Sequence, residues 1–264
     1  MKRTSFTLAL SLGLLAGAAF LQPGHAVADP GGQKQARQPD SQIQADMQAV
    51  LKADRFKDVR VTVRNGVIDL AGTVELYAYK EEAARKAERN KSAAAVRNGI
   101  QVVKTELSDE ELQNKLLEKV QYDRVGYGTT AFNAISVSVR DGIATLAGHA
   151  YGPTDRDSAV SLASHMRGIL DVIDDVQVDP LSPMDDHLRL QVARSVYGYP
   201  DLNKYAIDPA KPIRISVQNG NVTLFGMVDN QMDKDVAALR ANGVPGIFNV
   251  VNKLQVASET PQRE

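Results

Sequence analysis

The chain has 264 residues, with 31 Lys and Arg against 32 Asp and Glu, a formal net charge of −1 and no cysteine. The missing cysteine excludes disulfides, thiolate catalysis, thiolate metal sites and a lipid-modified cysteine. The charge balance argues against a nucleic-acid partner.

Lys2 and Arg3 precede an apolar run from Phe6 to Leu21 and the small-residue stretch Ala26-Val27-Ala28. That order is expected of a secretory signal, cleaved after Ala28, and the run is too short for a comfortable membrane span. Residues 1–28 are therefore assigned to a signal that takes the chain out of the cytoplasm, and a disulfide-free exported chain fits a bacterial periplasm. Residues 29–40, DPGGQKQARQPD, are rich in Pro, Gly and Gln and lack large apolar residues, which predicts a flexible leader.

The rest of the chain repeats itself. The phrase VRNGVIDLAG at 63–72 returns as VRDGIATLAG at 139–148 and as VQNGNVTLFG at 217–226. Six residues separate each turn glycine from the next glycine (Gly66 and Gly72, Gly142 and Gly148, Gly220 and Gly226). Thirty-five separate each turn Asn or Asp from Ile100, Val176 and Leu254. Two spacings held constant three times define three copies of one module, placed at 41–107, 108–180 and 181–257 with a tail at 258–264. Counted by module, basic and acidic residues number 12 and 9, then 6 and 12, then 8 and 7, so the first is basic and the second acidic.

Each module opens with an apolar-periodic helix: Ile43, Met47, Val50 and Leu51; Leu112, Leu116, Leu117 and Val120; Leu188, Leu190, Val192 and Val196. Ser108 with Glu111 forms a capping-box pattern, and Ser182-Pro183 places an N-cap residue before a first-turn proline. A strand follows, with Val59, Val61 and Val63, then Ile135, Val137 and Val139, then Ile213, Ile215 and Val217 sharing one face. The Asn-Gly or Asp-Gly pairs predict type I′ hairpins, because both turn residues need positive φ. After the turn, Ile68 and Leu70, Ala144 and Leu146, and Val222 and Leu224 face inward. A second helix is predicted near 78–95, 154–167 and 230–242, and a last strand at 100–103, 175–178 and 252–256. The fold class is α+β: three tandem two-layer αββαβ modules, each a three-stranded mixed sheet packed on two helices.

The repeated pattern V-x-V-x-[ND]-G-x-x-x-L-x-G, followed by a helix and V-x-x-V-x-[ND]-x-[ILV]-x-V, resembles the BON domain. The third copy fits over the longest stretch, at Ile215–Gly226 and Gly246–Val256. The first is looser near Arg97-Asn98-Gly99, where no Asn follows the second valine. The resemblance implies an αββαβ sandwich, no catalytic activity, and a periplasmic or envelope role, in osmotic stress among others, that involves phospholipid or other envelope surfaces.

His149, His165 and His187 show no metal-ligand spacing, and no nucleophile, phosphate-binding or dinucleotide motif is present, so no catalytic residue, metal or cofactor is assigned. Gly72, Gly148 and Gly226 read as bulges or close helix approaches at strand ends. The stretch from Leu76 to Lys91 combines five Lys and Arg with two tyrosines and an alanine seam. Tyr77, Tyr79, Lys80, Arg85, Lys86 and Arg89 are its candidate contacts to an anionic phospholipid surface, where cations are attracted and tyrosines suit the headgroup boundary. The same residues also suit an ordinary solvated face, with Glu81–Arg85 and Glu82–Lys86 as i,i+4 pairs. Loop aromatics Tyr122, Tyr127, Phe132, Tyr197, Tyr199 and Tyr205 serve either as a contact surface or as extensions of small cores. A protein-binding or chaperone-like scaffold for envelope proteins is the alternative function.

Overall fold

The structure is a computed structural model and describes residues 38–180 and 182–257. The expected signal at 1–28, the leader up to residue 37 and the tail at 258–264 lie outside the described residues. Module 1 comprises α1 (Asp40–Val50), β1 (Val59–Arg64), β2 (Val67–Val74), α2 (Tyr77–Glu88) and β3 (Ala95–Val102). Module 2 repeats this as α3 (Asp109–Tyr122), β4 (Ala134–Arg140), β5 (Ile143–Ala150), α4 (Pro153–Ser164) and β6 (Asp171–Val178). Module 3 has α5 (Pro183–Tyr197), α6 (Lys204–Ile207), β7 (Arg214–Gln218), β8 (Asn221–Phe225), β9 (Met227–Val228), α7 (Gln231–Asn242), β10 (Asn249–Asn252) and β11 (Gln255–Val256).

β9 and β11 form a short parallel pair, and each three-stranded sheet is mixed. The middle strand pairs antiparallel with the strand before its turn and parallel with the last strand, in the orders β1-β2-β3, β4-β5-β6 and β10-β8-β7. Asn65, Asp141 and Asn219 have φ of 52°, 52° and 50°, and the glycine after each is also positive, as type I′ turns require. The two turn N–H groups donate to an aspartate at the start of the preceding helix in every module: Asp40, Asp109 and Asp185. Ser108 and Glu111 make the reciprocal capping box, and Ser182 caps α5.

The last strands start earlier than the sequence suggests, at Ala95, Asp171 and Asn249, because they pair along the middle strand, Val67 opposite Ala95 and Ile143 opposite Asp171. Polar residues stand on both faces of these strands, Asn98, Asp174 and Asn252 being turned to the second helices, which hides the strand from an apolar pattern. The register also corrects the first copy. Asn98 lies opposite Leu70 as Asp174 does opposite Leu146 and Asn252 opposite Leu224. Each of the three side chains accepts from the backbone N–H two residues on, in Ile100, Val176 and Leu254.

The strand-end glycines are close approaches of strand to strand rather than of helix to strand. A Cβ on Gly72 would lie 2.0 Å from Asp58 O, just before β1, and one on Gly148 2.1 Å from Ala134 O, the first residue of β4. Each module keeps its own core between sheet and helices, where buried Ala83 and Ala87, Ala159 and Ala163, and Ala237 and Ala241 let the second helix sit close. Phe132 breaks the rule: it belongs to module 2 by sequence and to the core of module 3 by packing.

Candidate functional site

The basic helix α2 buries Ala83 and Ala87 against the sheet, which fixes where its other side chains go. Tyr77 is half-buried and lies beside Asp171 of module 2; burial pushes its phenol well up, and Glu81 and Asp171 add to the effect. Tyr79 packs against the core of module 1 with the Arg55 guanidinium 5.9 Å from its ring centroid. Lys80 is half-buried, and its carbonyl accepts from Asn98 Nδ2.

Lys86 Nζ lies 3.2 Å from Glu82 Oε1, donates to Val50 O and sits 5.1 Å from the Phe56 ring centroid. Glu82 is shared with Arg55, whose Nε and Nη2 donate to its two oxygens at 2.8 and 2.7 Å. The Arg55 hydrogen bonds, with help from Lys86 and against a smaller opposing effect of burial, hold the Glu82 carboxyl below its usual range. The expected Glu82–Lys86 pair is present; Glu81 and Arg85 form no ion pair within 4 Å. Of the six candidate residues, Arg85 and Arg89 therefore stand together on an exposed face one turn apart, with no ion pair among the described residues. Lys80 is half-buried one turn before them, and the other three are committed to contacts within the protein.

The loop aromatics divide. Tyr127 is 70% exposed, with Arg124 stacked 4.1 Å from its centroid, and Tyr122 is also exposed. Phe132 and Tyr205 are buried, Tyr197 donates to Ile213 O, and Tyr199 is half-buried against module 3. Two buried aspartates in the first turn of the second helix organise these longer loops. Asp155 accepts from Thr129 Oγ1 and Asn133 Nδ2, and Asp233 accepts from Tyr205 O–H at 2.6 Å and from Lys204 at 2.8 Å. Module 1 has Tyr79 at this position and the short connection Ala53–Asp58.

Sequence reasoning missed the polar junction of modules 2 and 3. Arg189 is fully buried, donating to Val217 O at 2.7 Å and Pro180 O at 3.3 Å, pairing with Asp186, and lying 3.7 Å from buried Asp179. At the same place in the other modules, Gln44 and Gln113 accept from Val63 and Val139 N–H. A buried charge needs such partners, since an unpaired one is costly. The only signal in the sequence was a charged residue between Leu188 and Val192 on an otherwise apolar face. Arg214 Nη1 donates across the same junction to Thr130 O and Asn133 O at 3.0 and 2.6 Å. His149 Nδ1 lies 3.2 Å from Asp179 Oδ1, which also accepts from Gln218 Nε2 at 2.8 Å. Among the described residues, no group of three His, Asp or Glu side chains is placed to hold a metal.

Against solved structures, the chain is 19% identical to the C-terminal domain of CdsD, a structural protein of the Type III secretion system of Chlamydia trachomatis, over 80% of this chain and 96% of that one, with a TM-score of 0.22. The periplasmic domain of the T3SS inner membrane protein PrgH from S. typhimurium is 9% identical over 80% of this chain and 99% of that one, with a TM-score of 0.18. Superpositions that poor carry no argument. No curated protein matches the chain. The family model described as "BON domain" matches residues 39–104, 108–180 and 200–258. The third match begins after α5, yet Asp185 on α5 holds its hairpin as Asp40 and Asp109 hold theirs. With the match spanning well over half of the sequence and the same αββαβ unit built three times, the chain belongs to the BON domain family.

Proposed function

We propose that this is a non-enzymatic periplasmic envelope protein whose tandem BON modules bind anionic phospholipid surfaces, with module 1 making the first contact. The observation that supports this is the pair Arg85 and Arg89, exposed on one face of α2 and left without an ion pair among the described residues. Each cation near an anionic surface contributes about 1 kcal/mol. Module 1 holds the excess of basic residues, and linked weak contacts gain through effective concentration. Tyr77, Tyr79 and Lys86 belong to this reading as the frame that orients the helix.

Co-sedimentation with vesicles of phosphatidylglycerol and phosphatidylcholine tests it, comparing wild type with an Arg85→Glu, Arg89→Glu double variant of unchanged circular dichroism. Binding should fall in the variant and with salt, because exposed charges are screened over about 8 Å at physiological ionic strength. Equal binding by both proteins removes α2 from the site. No binding by either favours a scaffold for envelope proteins, which exposed Tyr122 and Tyr127 support as aromatic anchors. The periplasmic placement predicts a mature chain that starts near Asp29, checked by mass spectrometry of periplasmic material.

A further inference from the structure

On the face of each sheet turned away from the helices, the residues flanking the hairpin form cross-strand pairs. In module 1 these are Arg64 with Val67 and Thr62 with Asp69; in module 2, Arg140 with Ile143 and Ser138 with Thr145. Module 3 has Gln218 with Asn221 and Ser216 with Thr223. Module 2 already has hydroxyls at the second pair, and only in module 3 do the charged and aliphatic side chains beside the turn give way as well, to two neutral amides. The next position along β2, β5 and β8 is Ala71, Ala147 and then Phe225.

The substituted face is also walled. His149 of module 2 closes one side, and a cleft of about 230 Å³ is lined by His149, Ser216, Gln218, Asn219, Asn221 and Thr223. The Phe225 ring lies 5.5 Å from the His149 ring, with Lys253 Nζ 5.3 Å from its centroid. The lining is pre-ordered from behind. Gln218 Nε2 donates to buried Asp179, which also holds His149, and Asn221 Nδ2 donates to the carbonyls of Gln218 and Asn219. Asn221 Oδ1, Gln218 Oε1 and the hydroxyls of Ser216 and Thr223 accept no hydrogen bond among the described residues.

The geometry points to a site for a neutral sugar unit of a glycan. A sugar hydroxyl is donor and acceptor at once, and amides and hydroxyls are the side chains that answer both roles without charge. The C–H face of a sugar ring packs on an aromatic side chain, which Phe225 and His149 provide at the rim. At about 230 Å³ the cleft falls below the roughly 300–1,000 Å³ of sites for drug-sized ligands and suits a single small unit. Asp179, the nearby carboxylate, lies buried behind Gln218 with Arg189, and the exposed cation Lys253 sits over the Phe225 ring at the rim, so the lining itself includes no Asp, Glu, Lys or Arg.

The test titrates the isotopically labelled mature chain with chitotriose, with maltotriose and with trialanine, following the side-chain amide signals of Gln218, Asn219 and Asn221. At least one trisaccharide should shift them with a millimolar half-saturation. Thr223→Val, which keeps shape and removes the hydroxyl, should weaken the response several-fold, and adding Asn221→Ala should bring the loss to about tenfold or more, since each lost bond is worth about 1 kcal/mol. Unchanged methyl signals of Ile215 and Leu224 certify the fold of the variants. No shift with either sugar to about 10 mM, equal shifts in the double variant, or a response to trialanine in place of the sugars overturns the proposal. Vesicle binding through α2 stands or falls separately, because neither variant touches module 1.

Discussion

The Asp185 carboxylate, 2% exposed, accepts the N–H of Gly220 at 2.9 Å through Oδ1 and that of Asn219 at 3.0 Å through Oδ2. One side chain at a helix start thus satisfies both donors at the tip of a hairpin 34 residues away, as Asp109 and Asp40 do in the other modules. A carboxylate taking two backbone N–H groups is a charge-assisted bond on each side.

Asp185→Ala should therefore destabilise the chain by about 2 kcal/mol, because the buried Gly220 N–H and the part-buried Asn219 N–H lose their acceptor. Asp185→Asn keeps one acceptor and should cost less. Urea midpoints of the three proteins check the order, and equal midpoints for wild type and Asp185→Ala would show that the clamp contributes nothing.

Burial raises the Asp233 carboxyl, but hydrogen bonds from Lys204, Tyr205 and Asn230 outweigh it and leave the group below its ordinary value. Its contribution is present above the unfolded-state value of about 3.9 and is lost as pH falls through the folded-state value. Asp233→Asn should lower stability at neutral pH and flatten its acid dependence between about pH 5 and pH 3. Parallel urea titrations across that range would read the slope directly.

Phe132 is 6% exposed inside the core of module 3 while its backbone belongs to module 2. Phe132→Ala should cost about 3–5 kcal/mol. Amide exchange should then speed up in β7 and β8 as well as in β4, and leave β1 and β2 of module 1 unchanged. Faster exchange confined to module 2 would contradict the shared core.

Gly148 has φ of 108°, and a Cβ there would sit 2.1 Å from Ala134 O. Gly126 has φ of 91° with nothing within 4 Å. Gly148→Ala should cost at least about 3 kcal/mol, because backbone must move. Gly126→Ala should cost only the conformational strain of about 1–2 kcal/mol. Melting curves of the two variants separate a steric collision from a dihedral penalty.

The amino-acid sequence by itself determined the features that one module makes within itself. Asn65-Gly66 and its two counterparts demand positive φ, Val59, Val61 and Val63 alternate with period two, and Ser108 with Glu111 caps a helix over three residues. These are local rules, and repetition at fixed spacing made them legible three times. The last strands escaped at their starts because Arg97 and Asp175 face the open side of the sheet, where no apolar pattern is required. The helix-side positions Asn98 and Asp174 are polar too, held by Lys80 O and Arg156 of the second helices.

Only the tertiary structure decided what happens between modules and on the surface they leave. Phe56 and Phe132 stand three residues before Val59 and Ile135, equivalent places in two copies, yet one fills its own core and the other its neighbour's. The basic helix reads as six contact residues in the sequence. Packing turns Tyr77 toward Asp171, ties Lys86 to Glu82 and leaves Arg85 and Arg89 facing outward. Arg189 reads as one more surface charge until Val217 O, Pro180 O and Asp186 surround it. Local periodicity specifies which face of an element is buried, whereas these partners lie far along the chain and are selected by the way one folded module meets the next.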